Sequence, residues 1–134
     1  MSHYPAASAE AVSFSPRGDM LAAIASDGSV HLLDIEKGEH LTALGSLNAR
    51  DLAFSPDGRL LAVASGDDSL RLFEVPSAQP VGEYYWHMSS LNSVAFSPNG
   101  RWLVTSADDS YVKLWPVFAM AASPAKKTTR ARKA

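Results

Sequence analysis

A histidine, a threonine and an aspartate, His87, Thr105 and Asp109, supply the side-chain types that hydrolases use as base, nucleophile and orienting carboxylate. The chain has no Gly-x-Ser-x-Gly elbow to present a nucleophile. The same three types can instead satisfy one another when buried between strands: a carboxylate must accept hydrogen bonds, and an imidazole and a hydroxyl can supply or relay them. The remaining histidines, His3, His31 and His40, lack zinc-ligand spacing, and there is no cysteine to supply a thiolate. Asp67-Asp68 and Asp108-Asp109 do not fit the calcium-loop pattern D-x-[DN]-x-[DN]-G and lie where turns favour aspartate. No catalytic residue, metal site or cofactor is expected.

These residues are placed by a recurrence. Phe-Ser-Pro-x-Gly occurs at Phe14 to Gly18, Phe54 to Gly58 and Phe96 to Gly100, spaced by 40 and 42 residues. Each copy then repeats an aspartate (Asp27, Asp67, Asp109), an aliphatic residue (Val30, Leu70, Val112) and a leucine (Leu32, Leu72, Leu114) in the same register. Such a period marks stacked units that cannot bury their apolar faces alone. Proline presets the first turn position and glycine supplies the positive φ that closes a hairpin. Second strands follow at Leu21 to Ala25, Leu60 to Ala64 and Trp102 to Ser106, and third strands at Val30 to Ile35, Leu70 to Val75 and Val112 to Val117. Outer strands are expected at Leu41 to Leu44 and Val81 to Trp86. Alternation such as Leu70 and Leu72 against Arg71 supports strands, and helical periodicity is absent.

Over residues 11–117 this register resembles the WD40 repeat, most specifically from Ser93 to Trp115. The resemblance implies an all-β, WD40-type β-propeller: three four-stranded antiparallel blades forming an incomplete propeller. The repeats fall at about 11–44, 45–86 and 87–122, after an N-terminal segment (1–10) and before a tail (123–134). It also implies a structural network of His87, Thr105, Asp109 and Trp115, although Trp86 replaces the glycine before the histidine. The other copies depart from the family pattern. Phe73-Glu74 and Leu33-Asp34 stand for Trp-Asp, Val63 and Ala23 for the hydroxyl, and Gly45 and Pro5 for the histidine. Replacing a whole polar set by apolar groups costs little, whereas a half-built set is expensive. Asp27 and Asp67 are therefore expected to be solvated or bonded within their own turns.

Closed propellers have about four to eight blades, so three leave a sheet face open at each end. Only Val117 to Ala122 remains for a fourth strand in the third blade. Ser2 to Ser8 could supply a closing strand, with Pro5 restricting it to an edge. The expectation is self-association, most simply a dimer closing a six-bladed ring. Completion by another chain, or a longer protein of which this is a piece, is the alternative. The family resemblance places partner-binding loops on one rim, here Asn48, Arg50, Ser90, Asn92 and Asp108, where Arg50 could hold a carboxylate or phosphate bidentately. Tyr84, Tyr85 and Trp86 either pack between blades or form an exposed contact patch.

Charge divides the chain. Lys126, Lys127, Arg130, Arg132 and Lys133 lie in the last nine residues, leaving seven cations against 14 acids, about -7, for residues 1–125. The tail lacks apolar periodicity and is expected to be disordered. It could contact nucleic acid, direct nuclear import or dock on an acidic partner. Ser123-Pro124 resembles a proline-directed phosphorylation site. No apolar run approaches the length of a membrane-spanning helix, and no signal peptide is visible, so no membrane contact is expected. The absence of cysteine fits an intracellular setting, cytoplasmic or nuclear. The expected function is a non-enzymatic protein-protein interaction scaffold. The alternative is a chromatin- or RNA-associated subunit whose tail contacts nucleic acid.

Overall fold

The computed structural model describes residues 9–118 apart from Leu47, Trp86 and Met88. The segment Ser2 to Ser8, with Pro5, and the tail cations Lys126, Lys127, Arg130, Arg132 and Lys133 lie outside the described residues, as does Ser123-Pro124.

Eleven strands among the described residues form three antiparallel sheets. The first contains β1 (Ala9–Phe14), β2 (Met20–Ala25), β3 (Ser29–Asp34) and β4 (Glu39–Ser46) in sequential order. The second repeats that order with β5 (Ala49–Phe54), β6 (Leu60–Ser65), β7 (Leu70–Glu74) and β8 (Gln79–Tyr84). The third has β9 (Leu91–Phe96), β10 (Trp102–Ala107) and β11 (Val112–Pro116). Of the fourth strand expected at Val117 to Ala122, Val117 and Phe118 join no strand, and the rest lies outside the described residues.

Each Phe-Ser-Pro-x-Gly turn is closed by more than proline and glycine. The serine hydroxyl accepts the N–H that opens the following strand, from Met20 to Ser15, Leu60 to Ser55 and Trp102 to Ser97, each at 3.0 Å. It then donates to Asp19, Asp57 or Asn99 at 2.6 to 2.7 Å. This bond is the largest cause holding the Asp57 carboxyl below its ordinary pKa, because donation favours the ionised form. Gly18, Gly58 and Gly100 all sit at φ 74°, where a side chain would be strained.

The sheets bury apolar faces against one another in two layers. Met20, Ala22, Ile24, Val30 and Leu32 of the first meet Leu52, Phe54, Leu61, Val63 and Phe73 of the second. The equivalent face of the second, Ala62, Ala64, Leu70 and Leu72, meets Leu91, Val94, Leu103 and Trp115 of the third. In the third sheet the same register positions are Trp102, Val104, Ser106, Val112 and Leu114. There Val112 is 69% and Leu114 60% exposed. At the opposite end, Val12 and Phe14 of the first sheet are 60% and 68% exposed. Among the described residues, the alternation that buries each blade thus leaves apolar positions exposed in the first and third sheets.

Candidate functional site: a polar rim over the blade seams

One end of the blades is built by two loops per repeat, the segment entering the innermost strand and the turn between second and third strands. A backbone bond fastens them together: Gly66 N–H donates to Asn48 O at 2.8 Å, and Asp108 N–H to Ser90 O at 3.0 Å. Further bonds cross the seams. Ala49 N–H reaches Gly28 O at 3.0 Å, and Ser90 Oγ donates to Gly66 O at 2.6 Å. The Asp51 carboxylate accepts the Val94 N–H at 2.9 Å, tying innermost strand β5 to β9.

On this frame Arg50 Nη1 donates to Asn92 Oδ1 at 2.8 Å, and Asn92 Nδ2 donates to Asp108 Oδ1 at 2.7 Å. Arg50 and Asp108 approach to 3.8 Å while remaining 46% and 57% exposed, a separation and exposure at which an ion pair contributes little. Asn92 thus holds the guanidinium and the carboxylate apart but oriented. The glycine at 66 allows the close approach of the loops: a Cβ there would lie 2.7 Å from Asn48 Nδ2 and 3.2 Å from its Cγ. Asn48 itself adopts φ 52°, a conformation asparagine tolerates better than most residues.

Asn48, Arg50, Ser90, Asn92 and Asp108 therefore all come together at this rim. Sequence reasoning missed Asp51 and Gly66. The signal for Gly66 was its place at the start of the second-to-third-strand turn, where the other copies carry Ser26 and Asp108. Nothing in the spacing marked Asp51, whose acceptor role depends on the neighbouring blade.

His87, Thr105, Asp109 and Trp115 are brought together inside the third blade. His87 Nδ1 lies 3.0 Å from Asp109 Oδ2, His87 Nε2 lies 2.7 Å from Thr105 Oγ1, and the Trp115 indole donates to the same hydroxyl at 2.8 Å. A carboxylate can only accept, so Nδ1 carries the proton and the Thr105 hydroxyl donates to Nε2. Burial lowers the His87 pKa below its ordinary value, outweighing the Asp109 hydrogen bond that raises it. The hydroxyl is already committed to a donor and an acceptor, and His87, Thr105 and Trp115 are all buried. These bonds tie the segment carrying His87 to β10 and β11.

The first two blades use another device. Asp27 Oδ1 accepts Ser29 N–H at 3.0 Å and Ser29 Oγ–H at 2.5 Å; Asp67 does the same with Ser69 at 3.2 and 2.5 Å. Both carboxylates are bonded within their own turns. Arg71 joins the second set, with Nη2 2.8 Å from Asp67 Oδ2. His31 takes the same register position in the first blade, and β4 brings His40 to it across a hairpin, a meeting that their nine-residue separation did not suggest. In the third blade this position holds Lys113, buried and 5.4 Å from the Tyr111 ring centroid.

Tyr84 is buried edge-on to Trp115 at 5.8 Å between centroids, and burial pushes its pKa up to about 12. Tyr85 is buried too, its hydroxyl donating to Glu83 at 3.0 Å. Both fit packing rather than an exposed patch; Trp86 lies outside the described residues. No group of three or more His, Asp or Glu side chains that could hold a metal occurs among the described residues.

Comparison with known proteins gives matches of two kinds. The family model "WD domain, G-beta repeat" matches residues 78–116. The model "Anaphase-promoting complex subunit 4 WD40 domain" matches residues 3–49 and 42–92. Among curated proteins none matches. Of solved structures, "Structure of U3-55K" superposes with a TM-score of 0.79 at 22% identity, over 87% of this chain and 38% of that one. "Crystal structure of RRP9 WD40 repeats" superposes with a TM-score of 0.79 at 21% identity, over 87% of this chain and 37% of that one. The chain therefore spans well under half the length of either structure.

Proposed function

The chain belongs to the WD40-repeat family, and from that premise we propose that it is a non-enzymatic protein-interaction scaffold whose end blades are completed by another chain, most simply a second copy. Propeller scaffolds of this family act by presenting surfaces to proteins, and the reading here is that completion and presentation are coupled.

One observation carries the proposal. Val112 and Leu114 occupy the register positions that Val30 and Leu32, and Leu70 and Leu72, use to pack against the following blade, yet they are exposed. The leading face of the first blade offers the matching side through Val12 and Phe14. A head-to-tail pair would repeat the internal packing at both junctions and give six blades, within the size range of closed propellers. The rim formed by Asn48, Arg50, Ser90, Asn92 and Asp108 then serves as the docking surface. Arg50 supplies a planar donor for an acidic side chain or C-terminus, and Asp108 a repulsive guard against anions that lack the right geometry.

Light scattering on the purified chain at micromolar concentration tests completion. The expected mass is twice 14.3 kDa. A cooperatively folded monomer would count against it. Nucleic-acid contact through the tail is the second reading, motivated by five cations in the last nine residues. Equal affinity for RNA or DNA with and without residues 124–134, across a salt titration, would remove it.

A further inference from the structure

His31 and His40 sit on adjacent rows of the same face of the first sheet. His31 aligns with Ala23 and Ala43, and His40 with Leu33, after a bulge between Leu32 and Leu33. That hairpin brings His31 Nδ1 to 3.0 Å from His40 Nε2, at the exposed outer part of the blade. The hydrogen-bond chain behind the pair settles its tautomers. Ser29 Oγ gives its only proton to Asp27 Oδ1 at 2.5 Å, so it must accept from His31 Nε2–H, 2.9 Å away. His31 Nδ1 is then a bare lone pair, and His40 Nε2–H donates to it. The Ser29 bond also contributes most to holding the Asp27 carboxyl below its ordinary pKa, which keeps the chain anchored on an ionised group.

We propose that His31 and His40 form a two-histidine chelate for a divalent transition-metal ion with tetragonal preference, Cu2+ or Ni2+. With metal–nitrogen bonds of about 2.0–2.1 Å, a nitrogen separation of 3.0 Å subtends about 94°, near the angle between neighbouring ligands of a square-planar or octahedral ion. The metal lies about 1.4 Å to one side of the line that carries the shared proton, so both rings turn to aim their lone pairs at it. His31 already presents Nδ1, and His40 presents Nε2 by moving its proton to Nδ1, so neither ring changes charge. Asp27 and Ser29 act as the supporting shell that orients the ligating imidazole from its far nitrogen. Water fills the remaining positions, since no third His, Asp or Glu among the described residues joins the pair. The second blade shows what a purely structural version looks like: Arg71 repeats the bonds to Ser69 and Asp67, and its outer-strand neighbour is a carboxylate, Glu83, at 3.7 Å. The first blade instead brings two imidazoles together nitrogen to nitrogen, their planes tilted by 57°.

The test is a Cu2+ titration of the full chain carrying His3→Ala, which removes the histidine outside the described residues, followed by calorimetry and electron paramagnetic resonance. One Cu2+ per chain is expected, with nitrogen hyperfine coupling from two imidazoles. His31→Ala and His40→Gln should each weaken binding by tenfold or more while far-UV circular dichroism stays unchanged; glutamine retains a hydrogen-bond donor but cannot chelate copper, so a merely structural role would be rescued. Ser29→Ala should weaken binding by about tenfold with both ligands in place. Unchanged affinity in either histidine variant, or no saturable binding to the parent, overturns the proposal.

Discussion

Replacing Thr105 by valine tests the buried network most directly, because the two side chains have nearly the same shape and differ in one hydroxyl. That hydroxyl lies 2.7 Å from His87 Nε2 and 2.8 Å from the Trp115 indole nitrogen, in a region where all three residues are buried. Valine removes the hydroxyl that one acceptor and one donor bond to, and each lost bond costs about 1–3 kcal/mol. The extra methyl recovers at most about 0.8 kcal/mol. The net expectation is a loss of about 3 kcal/mol, a large share of the roughly 5–15 kcal/mol that holds a domain folded. Thr105→Ser keeps the hydroxyl and removes a methyl, so it should cost only about 1 kcal/mol. Urea unfolding followed by tryptophan fluorescence, at one fixed chain concentration, measures both. The reasoning fails if Thr105→Val is no more destabilising than Thr105→Ser. Val63 holds the equivalent place in the second blade, buried without a histidine to satisfy, so the penalty belongs to the network and not to valine in that strand.

Further outcomes follow from the same geometry. Because burial lowers the His87 pKa below 6.5, the unfolded chain takes up that proton first; stability is full above pH 6.5, falls as pH drops toward the folded value, and His87→Gln should flatten this slope in urea midpoints. Gly28→Ala should cost more than about 2 kcal/mol in the same assay, since a left-handed residue loses about 1–2 kcal/mol and its Cβ would lie 2.8 Å from the Asn48 Cα. Gly66→Ala should cost less, because its clash is with the movable amide of Asn48. If a second copy completes the blades as proposed, Leu114→Lys should leave their circular dichroism intact but halve the mass seen by light scattering, because this 60% exposed side chain would lie in the contact.

The blade pattern was legible from local chemistry. Ser-Pro-x-Gly makes a turn through bonds that span five residues at most, and the recurring apolar positions alternate along short strands, so boundaries read from the chain fall within two residues of those observed at most ends. The outer strands were less legible: β4 runs Glu39–Ser46 rather than Leu41 to Leu44, because its pairing with β3 is interrupted by bulges that no composition signals. The rim residues could be named through the resemblance to WD40 repeats, which sets those loops at one end of the stack. Their bonding could not, since Arg50 meets Asn92 and Asp51 meets Val94 across 42 and 43 residues.

What the amino-acid order determines on its own is periodicity: three copies of one hydrogen-bonded turn and one alternating face, hence three blades. Which side chains meet depends on register and on how one blade stacks on the next, quantities set by bulges and interlocking faces across the whole assembly. His31 and His40 face each other only because β4 shifts against β3, and Asn92 separates Arg50 from Asp108 only because the second and third sheets stack in that alignment. Local sequence decides where the chain turns; packing between sheets decides what those turns hold together.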